Sequence, residues 1–149
     1  MSAQQLDHVA QAQKTAFMFP GQGSQKVGML AELAEQFRGI QDTFTEASDA
    51  VGFDLWNIAQ SGEGLDQTQN TQPVLLTASV ALWRLWYELG GLAPKFLVGH
   101  SLGEYSALVA AGAMSLGDAV KLVNLRGKLM QDAVPQGQGA MAAILGLDD

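Results

Sequence analysis

Phe96-Leu97-Val98-Gly99-His100-Ser101-Leu102-Gly103 is the stretch on which the reading of this chain turns. Lys95 to Val98 is a short apolar run, as in a buried strand. From Ser101 to Ala113 the chain is rich in Ala and Leu and has the composition of a helix. Between them lies Gly99-His100-Ser101-Leu102-Gly103, which has the form G-x-S-x-G. A turn this tight, from strand directly into helix, holds its central residue in a strained backbone. Glycines two positions before and two after remove side chains that would collide. The serine oxygen is left exposed above the sheet edge. The positive N-terminal end of the helix points at any oxyanion formed there, with the Leu102 N–H as one donor. Chance matches to this pattern in a chain of this composition number roughly 0.1 before the strand and helix are required. The pattern is that of a nucleophile elbow, with Ser101 as candidate nucleophile.

Working outward, Thr15 to Phe19 is a second apolar run, stopped by Pro20-Gly21 and read as a buried strand. The glycine-rich loop Pro20-Gly21-Gln22-Gly23-Ser24-Gln25 follows it. Helical spacing begins near Gly28, with Met29, Leu30, Leu33, Ala34 and Phe37, and Gly39 is expected to end that helix. Ile40 to Val51 predicts a second helix, with Phe44, Ala47 and Val51 on one face. Asp54 to Ala59 predicts a short helix capped by Asp54. Ser61 to Gln69 reads as a polar connection. Thr71 to Leu89 is the strongest helical pattern, with Leu75, Ala78, Leu82, Leu85, Trp86 and Leu89 as its stripe. Pro73 is expected in its first turn, where a missing N–H costs nothing, and Gly90-Gly91 ends it. Ser115 to Val134 predicts another helix, with Ser115 as cap and Asp118 completing a variant capping box. Gly139 to Leu145 reads as a third strand, and residues 1–14 as a flexible tail. Strands separated by long helices imply an α/β fold with a parallel sheet. Three strands are few for such a sheet, which predicts that the chain is part of a larger unit.

Composition narrows the function. The chain has 149 residues, 8 Lys plus Arg against 15 Asp plus Glu, and a formal charge of −7. An acidic chain lacks the cationic surface that general nucleic-acid binding needs. No cysteine is present, which excludes thiolate metal sites, disulfides and a cysteine nucleophile. No metal cluster is visible, and Gly21-Gln22-Gly23-Ser24-Gln25 lacks the G-K-[ST] of a phosphate loop. The longest apolar-rich stretch, Pro73 to Leu89, is broken by Thr77, Ser79, Arg84 and Glu88, so no membrane span is expected. Met1 to Lys14 is polar and Gln-rich with no apolar core, unlike a secretory signal. A cytoplasmic location is the default expectation.

A serine nucleophile needs a base. The sequence has two histidines, His8 and His100. His8 lies in the polar tail. His100 directly precedes Ser101, and adjacent side chains on a tight turn diverge. His100 is therefore expected to pack and hydrogen-bond beside the elbow. The nucleophile is present and its expected base is not.

Five stretches carry a resemblance: Phe19-Pro20-Gly21-Gln22-Gly23-Ser24-Gln25; Thr71-Gln72-Pro73; Gly99 to Tyr105; Arg126-Gly127-Lys128 with Met130; and Gly139-Ala140-Met141. In order and spacing the chain resembles the N-terminal half of the malonyl-CoA:acyl carrier protein transacylases, the acyltransferase family of fatty acid and polyketide synthesis. That resemblance implies an incomplete α/β-hydrolase-like large domain over residues 15–137. It also implies that residues 138–149 open a ferredoxin-like small subdomain. The implied reaction is ping-pong transfer of a malonyl group from malonyl-CoA to the phosphopantetheine thiol of acyl carrier protein, through a malonyl-serine ester on Ser101. It needs no bound cofactor. The resemblance maps the two oxyanion N–H donors onto Gln22 and Leu102, and the arginine that pairs with the malonyl carboxylate onto Arg126. His100, Met130 and Gln72 match positions near the pocket, and Glu104 and Tyr105 read as helix packing or support. The family's catalytic histidine would lie beyond Asp149, so the chain alone is expected to be inactive.

Three other readings share parts of this pattern. An acyltransferase domain of a polyketide synthase would share the elbow and Arg126. A serine esterase would share the elbow but has no use for Arg126 together with the Pro20 to Gln25 loop. A non-catalytic module would bind CoA or carrier protein without turnover. Carrier proteins are acidic, so docking on an acidic chain needs a local basic patch, for which Lys121, Arg126 and Lys128 are candidates.

Overall fold

In the computed structural model, residues 14–134 are described. Strand β1 (Ala16–Phe19) and strand β2 (Phe96–Gly99) pair in parallel, with Ala16 beside Phe96 and Phe19 beside Gly99. Parallel neighbours in register point to the same face. Phe17, Phe19 and Leu97 therefore share one face, and they pack with Trp83, Ala107 and Ala110. Phe17 meets both Trp83 and Trp86 edge-on, at centroid distances of 5.0 and 5.2 Å. The opposite face is open: Met18 is 81% exposed, Phe96 57% and Val98 48%. Both strands were expected to be buried. Unbroken apolar runs are the pattern of a sheet covered on both faces, and among the described residues only one face is covered. The expected third strand, Gly139 to Leu145, lies outside the described residues, as do residues 1–13 with His8.

The helices are α1 (Ala31–Gln36), α2 (Arg38–Val51), α3 (Leu55–Ser61), α4 (Thr68–Glu88), α5 (Leu102–Ala110) and α6 (Leu116–Asp132). Together with the strand pair they form an α/β fold with a small parallel sheet. Helix α4 is the axis of the core, with α2 and α6 packed against it. From Thr71 to Ala81 it is buried on every side, the polar Thr71, Gln72, Thr77 and Ser79 included, so its burial does not follow a single apolar stripe. The expected single stripe therefore fails towards its end, where Leu82, Trp86 and Leu89 are exposed. Phe44 of α2 is fully buried and meets Trp56 of α3 edge-on at 5.0 Å.

Two boundaries differ from the sequence reading. Gly39 does not end a helix but lies in the first turn of α2. The break falls at Phe37, whose extended backbone (φ −129°, ψ 102°) closes α1 and opens α2. Pro73 is not in the first turn of α4. The helix begins three residues earlier than expected, at Thr68, so Pro73 lies inside it. The caps are where they were expected. The Asp54 carboxylate accepts the Asn57 N–H at 2.8 Å, and the Ser115 hydroxyl accepts the Asp118 N–H at 3.1 Å. Loss of such a cap costs about 1 kcal/mol. Asp54→Ala is expected to lower the unfolding free energy by that amount, read as a lower denaturant midpoint with an unchanged slope, leaving the elbow's chemistry untouched. An unchanged midpoint would show that α3 is held by packing alone.

Candidate active site

β2 runs into α5 through His100 and Ser101, and Ser101 has φ 55° and ψ −111°. These are the angles of the first central residue of a type II′ turn, where glycine dominates. A serine kept there stores strain of order 1–3 kcal/mol, the kind of outlier that clusters at functional sites. The turn closes only because both flanking positions lack side chains. A Cβ on Gly99 would fall on the Gly103 carbonyl, and a Cβ on Gly103 on the Phe19 carbonyl at the end of β1. The elbow is thus wedged against β1 and the loop after it. Gly21 of that loop faces the His100 carbonyl, with 3.4 Å from its Cβ position to the oxygen.

Ser101 is exposed and Leu102 buried. At the start of α5 the Gly103 N–H bonds to the His100 carbonyl and the Glu104 N–H to the Ser101 carbonyl. The Leu102 N–H has no such backbone partner among the described residues. It is one of the free donors every helix start presents, beside the serine oxygen. The loop carrying Gln22 is tied down by side chains. Gln22 Nε2 donates to Thr68 Oγ1 at 3.3 Å, Ser24 Oγ to the Gly21 carbonyl at 2.8 Å, and Gln25 Nε2 to Asp66 Oδ1 at 3.3 Å.

The Arg126 side chain, half-buried on α6, reaches this point. Its Nη2 donates to Ser101 Oγ at 2.9 Å and its Nη1 to Gln72 Oε1 at 2.8 Å. Gln72 is fully buried on α4, and its Nε2 contacts Met130 Sδ at 3.3 Å. Tyr105 of α5 presents its ring face to the guanidinium, 5.7 Å from Arg126 Cζ to the ring centroid. Arg126 has no carboxylate partner among the described residues. The ion pairs there are Arg38 with Asp42, and Arg84 with Glu46. The site thus holds a cation bonded only to neutral groups, in contact with a serine oxygen.

The structure brings Ser101, Leu102, Arg126, Gln72 and Met130 together. His100 departs from expectation: its side chain is exposed and makes no hydrogen bond among the described residues. Among the described residues its imidazole is therefore hydrogen-bonded neither to the Ser101 oxygen nor to the loop after β1. Thr68, the partner of Gln22, was read as part of a polar connection. Tyr105 was read as helix packing or support, and its ring over Arg126 fits the second of these, though nothing in the sequence names Arg126 as what it supports. No group of three or more His, Asp or Glu that could hold a metal occurs among the described residues. No described helix is long and apolar enough to cross a membrane.

Comparison with known proteins places this geometry. The chain is 62% identical over 136 residues to the malonyl CoA-acyl carrier protein transacylase of Escherichia coli strain K12, a match covering 90% of this chain and 44% of that protein. Among solved structures, FabD from Acinetobacter baumannii superposes with a TM-score of 0.89 at 86% identity, covering 93% of this chain and 44% of that one. A second is PlMCAT in complex with AntF, described as a type II PKS acyl-carrier protein with its malonyl-transacylase. It matches at 60% identity and TM-score 0.79, covering 82% of this chain and 40% of that one. The chain spans less than half the length of these relatives. Residues 16–147 match the family described as acyl transferase domain. With nearly the whole described structure inside that match, the chain belongs to the acyl transferase domain family.

Proposed function

We propose that this chain carries the nucleophile, the oxyanion donors and the carboxylate-binding arginine of an [acyl-carrier-protein] S-malonyltransferase of fatty acid biosynthesis. The observation that carries the reading is the 2.9 Å bond from the Arg126 guanidinium to Ser101 Oγ. A half-buried cation beside a nucleophile suits an acyl group that ends in a carboxylate, and a planar guanidinium binds a carboxylate through two parallel hydrogen bonds.

Ser101 Oγ attacks the thioester carbonyl of malonyl-CoA and gives up its proton to a base supplied from outside the described residues. The Oγ–C bond forms, the oxyanion is held by the backbone N–H groups of Leu102 and Gln22, and the C–S bond breaks to release CoA. The phosphopantetheine thiol of acyl carrier protein then attacks the malonyl-serine ester, and Oγ takes its proton back as the acyl group leaves. Arg126 exchanges its bond to Ser101 for the malonyl carboxylate while Gln72 keeps it aimed. Met130 flanks the acyl group. Carrier protein as partner is supported by the PlMCAT:AntF complex, and Lys121 and Lys128, exposed on α6, are the chain's own candidates for meeting it. In this reading residues 15–137 form part of an α/β-hydrolase-like large domain. Residues 138–149 open a ferredoxin-like subdomain, and the enzyme works in the cytosol.

Arg126→Ala in the intact protein tests the substrate. Hydrogen bonds to a charged group are worth about 1.5–3 kcal/mol. Malonyl transfer is expected to fall about 10- to 150-fold, while acetyl transfer, which never used the charge, changes little. Equal losses on both acyl groups would remove the carboxylate clamp and return the site to a serine esterase.

A further inference from the structure

We propose that Asn124 is a positioning residue for Arg126, acting through a hydrogen-bond gap that Pro73 opens in helix α4; this rests on the clamp reading of Arg126 above. Inside a helix each N–H bonds the carbonyl four residues back, and proline has no N–H to give. Pro73 therefore leaves the Gln69 carbonyl without its helical partner. A carbonyl freed at a packed interface is costly unless something replaces the lost donor. The replacement comes from the neighbouring helix: Asn124 Nδ2 donates to the Gln69 carbonyl at 2.8 Å, and Asn124 is 8% exposed. Three residues further along α6, Gly127 lets the two backbones touch. A Cβ there would lie 2.6 Å from Gln69 Cα and 2.6 Å from the Thr68 carbonyl oxygen.

Arg126 lies between these two contacts. Its partner Gln72 lies between Gln69 and Pro73 on α4. Three polar contacts therefore join the helices over about one turn of α4 and two of α6: Asn124 to Gln69, Arg126 to Gln72, and Gln72 to Met130. Gly127 sets how closely the helices approach, which any small residue does in part. The directional bond from Asn124 sets the rotation of α6 about its own axis. One residue of slip would turn that axis by about 100° and carry the guanidinium away from Ser101. Arg126 is held at its tip by Gln72, Ser101 and the Tyr105 ring, and the joint sets where its backbone stands, so those contacts form only if the joint is kept.

A double-substitution cycle reads the proposal, in the intact protein that carries this sequence. Asn124→Leu keeps the branched shape and the number of heavy atoms and removes the donor. The ratio of malonyl to acetyl transfer is expected to fall about tenfold, through a higher KM for malonyl-CoA, as a misaimed clamp would cause. Pro73→Ala restores the N–H that Gln69 lacks. Added to Asn124→Leu, it is expected to bring the ratio back to within about threefold of the unaltered protein. General loosening of the core would lower malonyl and acetyl transfer alike and leave their ratio unchanged, even though Pro73→Ala also strengthens helix α4 as a whole. If Asn124→Leu does not fold, Asn124→Ser, too short to span the gap, is read in the same cycle. An unchanged ratio, or a loss that Pro73→Ala leaves in place, overturns the proposal. Arg126→Ala measured alongside keeps the two readings apart. If it spares the ratio, the clamp itself fails. If it collapses the ratio while Asn124→Leu does not, only the role of Asn124 fails.

Discussion

Ser101→Ala is expected to abolish the acyl-enzyme completely. Incubation of the intact protein with malonyl-CoA, proteolysis and mass spectrometry should find the malonyl ester on the peptide containing Ser101, and on no peptide of the alanine variant. Ser101 Oγ is the only hydroxyl of the elbow, so no ester can form there without it and no partial activity is expected by this route. Turnover should fall by orders of magnitude, as it does when a nucleophile that acts with a base is removed. The backbone adds a second expectation. Ser101 and an alanine in its place suffer alike at φ 55°, whereas glycine does not. Ser101→Gly should therefore be as inactive as Ser101→Ala yet more stable, by roughly 1–2 kcal/mol once glycine's greater entropy in the unfolded chain is deducted. Thermal unfolding of the two variants side by side measures the strain the site carries for its chemistry. Equal melting temperatures would mean the turn is unstrained. A malonyl adduct surviving in the alanine variant would mean that Ser101 is not the nucleophile.

The elbow was legible because its rule is local. Strand, turn glycines, serine and helix lie within about a dozen consecutive residues, and sterics at that turn admit few alternatives. The caps at Asp54 and Ser115 were legible for the same reason. What failed was non-local. Pro73 was put in a first turn because proline is free there, and Thr68 to Asn70 are too polar to extend an apolar pattern backwards. What makes an interior proline tolerable is Asn124, fifty-one positions on, and nothing in the sequence around Pro73 announces it. Gly39 was read as a stop because glycine ends helices often. The actual break is one extended residue, Phe37, an ordinary core aromatic with no turn signal.

The candidate site divides in the same way. Ser101 and the Leu102 N–H follow from the motif alone. The bond from Arg126 to Ser101 joins residues 25 positions apart, one on α6 and the other in the turn before α5. The sequence offered Arg126 only through resemblance to a family, since an arginine in an amphipathic helix is otherwise a solvated cation. Gln72 and Met130 entered by the same route, and the structure supplies the physical link: one buried amide that bonds the guanidinium with its oxygen and contacts the thioether with its nitrogen. Tyr105 and Thr68 matter only through neighbours that the fold brings to them. The open face of the strand pair shows the opposite limit. Its apolar residues state that something should cover them, and the described residues do not include the cover.

Gly103→Ala and Gly117→Ala make the same chemical change and should have opposite effects. At Gly103 the added methyl falls on the Phe19 carbonyl and comes within 3.0 Å of the Pro20 carbonyl oxygen. Both obstacles are backbone, so no side-chain rotation relieves the clash. Either α5 withdraws from β1 or the loop after β1 moves, and each displaces Ser101 or the Gln22 N–H. A misplacement of about 1 Å in a reacting group costs on the order of 100-fold in rate. Transfer is expected to fall at least that far, together with a stability loss of about 1–3 kcal/mol, the usual cost of overpacking. Gly117 lies in the first turn of α6 with a helical backbone, and its nearest neighbour would be Ala50 Cβ at 3.7 Å, an ordinary contact. Alanine there should stabilise by about 0.4–1 kcal/mol, because it restricts the unfolded chain and costs the folded one nothing. Activity should not change. Unfolding midpoints and transfer rates for the two variants decide the matter. A Gly103→Ala protein with normal turnover would show that α5 can retreat from β1 without moving the nucleophile, and the wedge between β1 and the elbow would then be packing without consequence for catalysis.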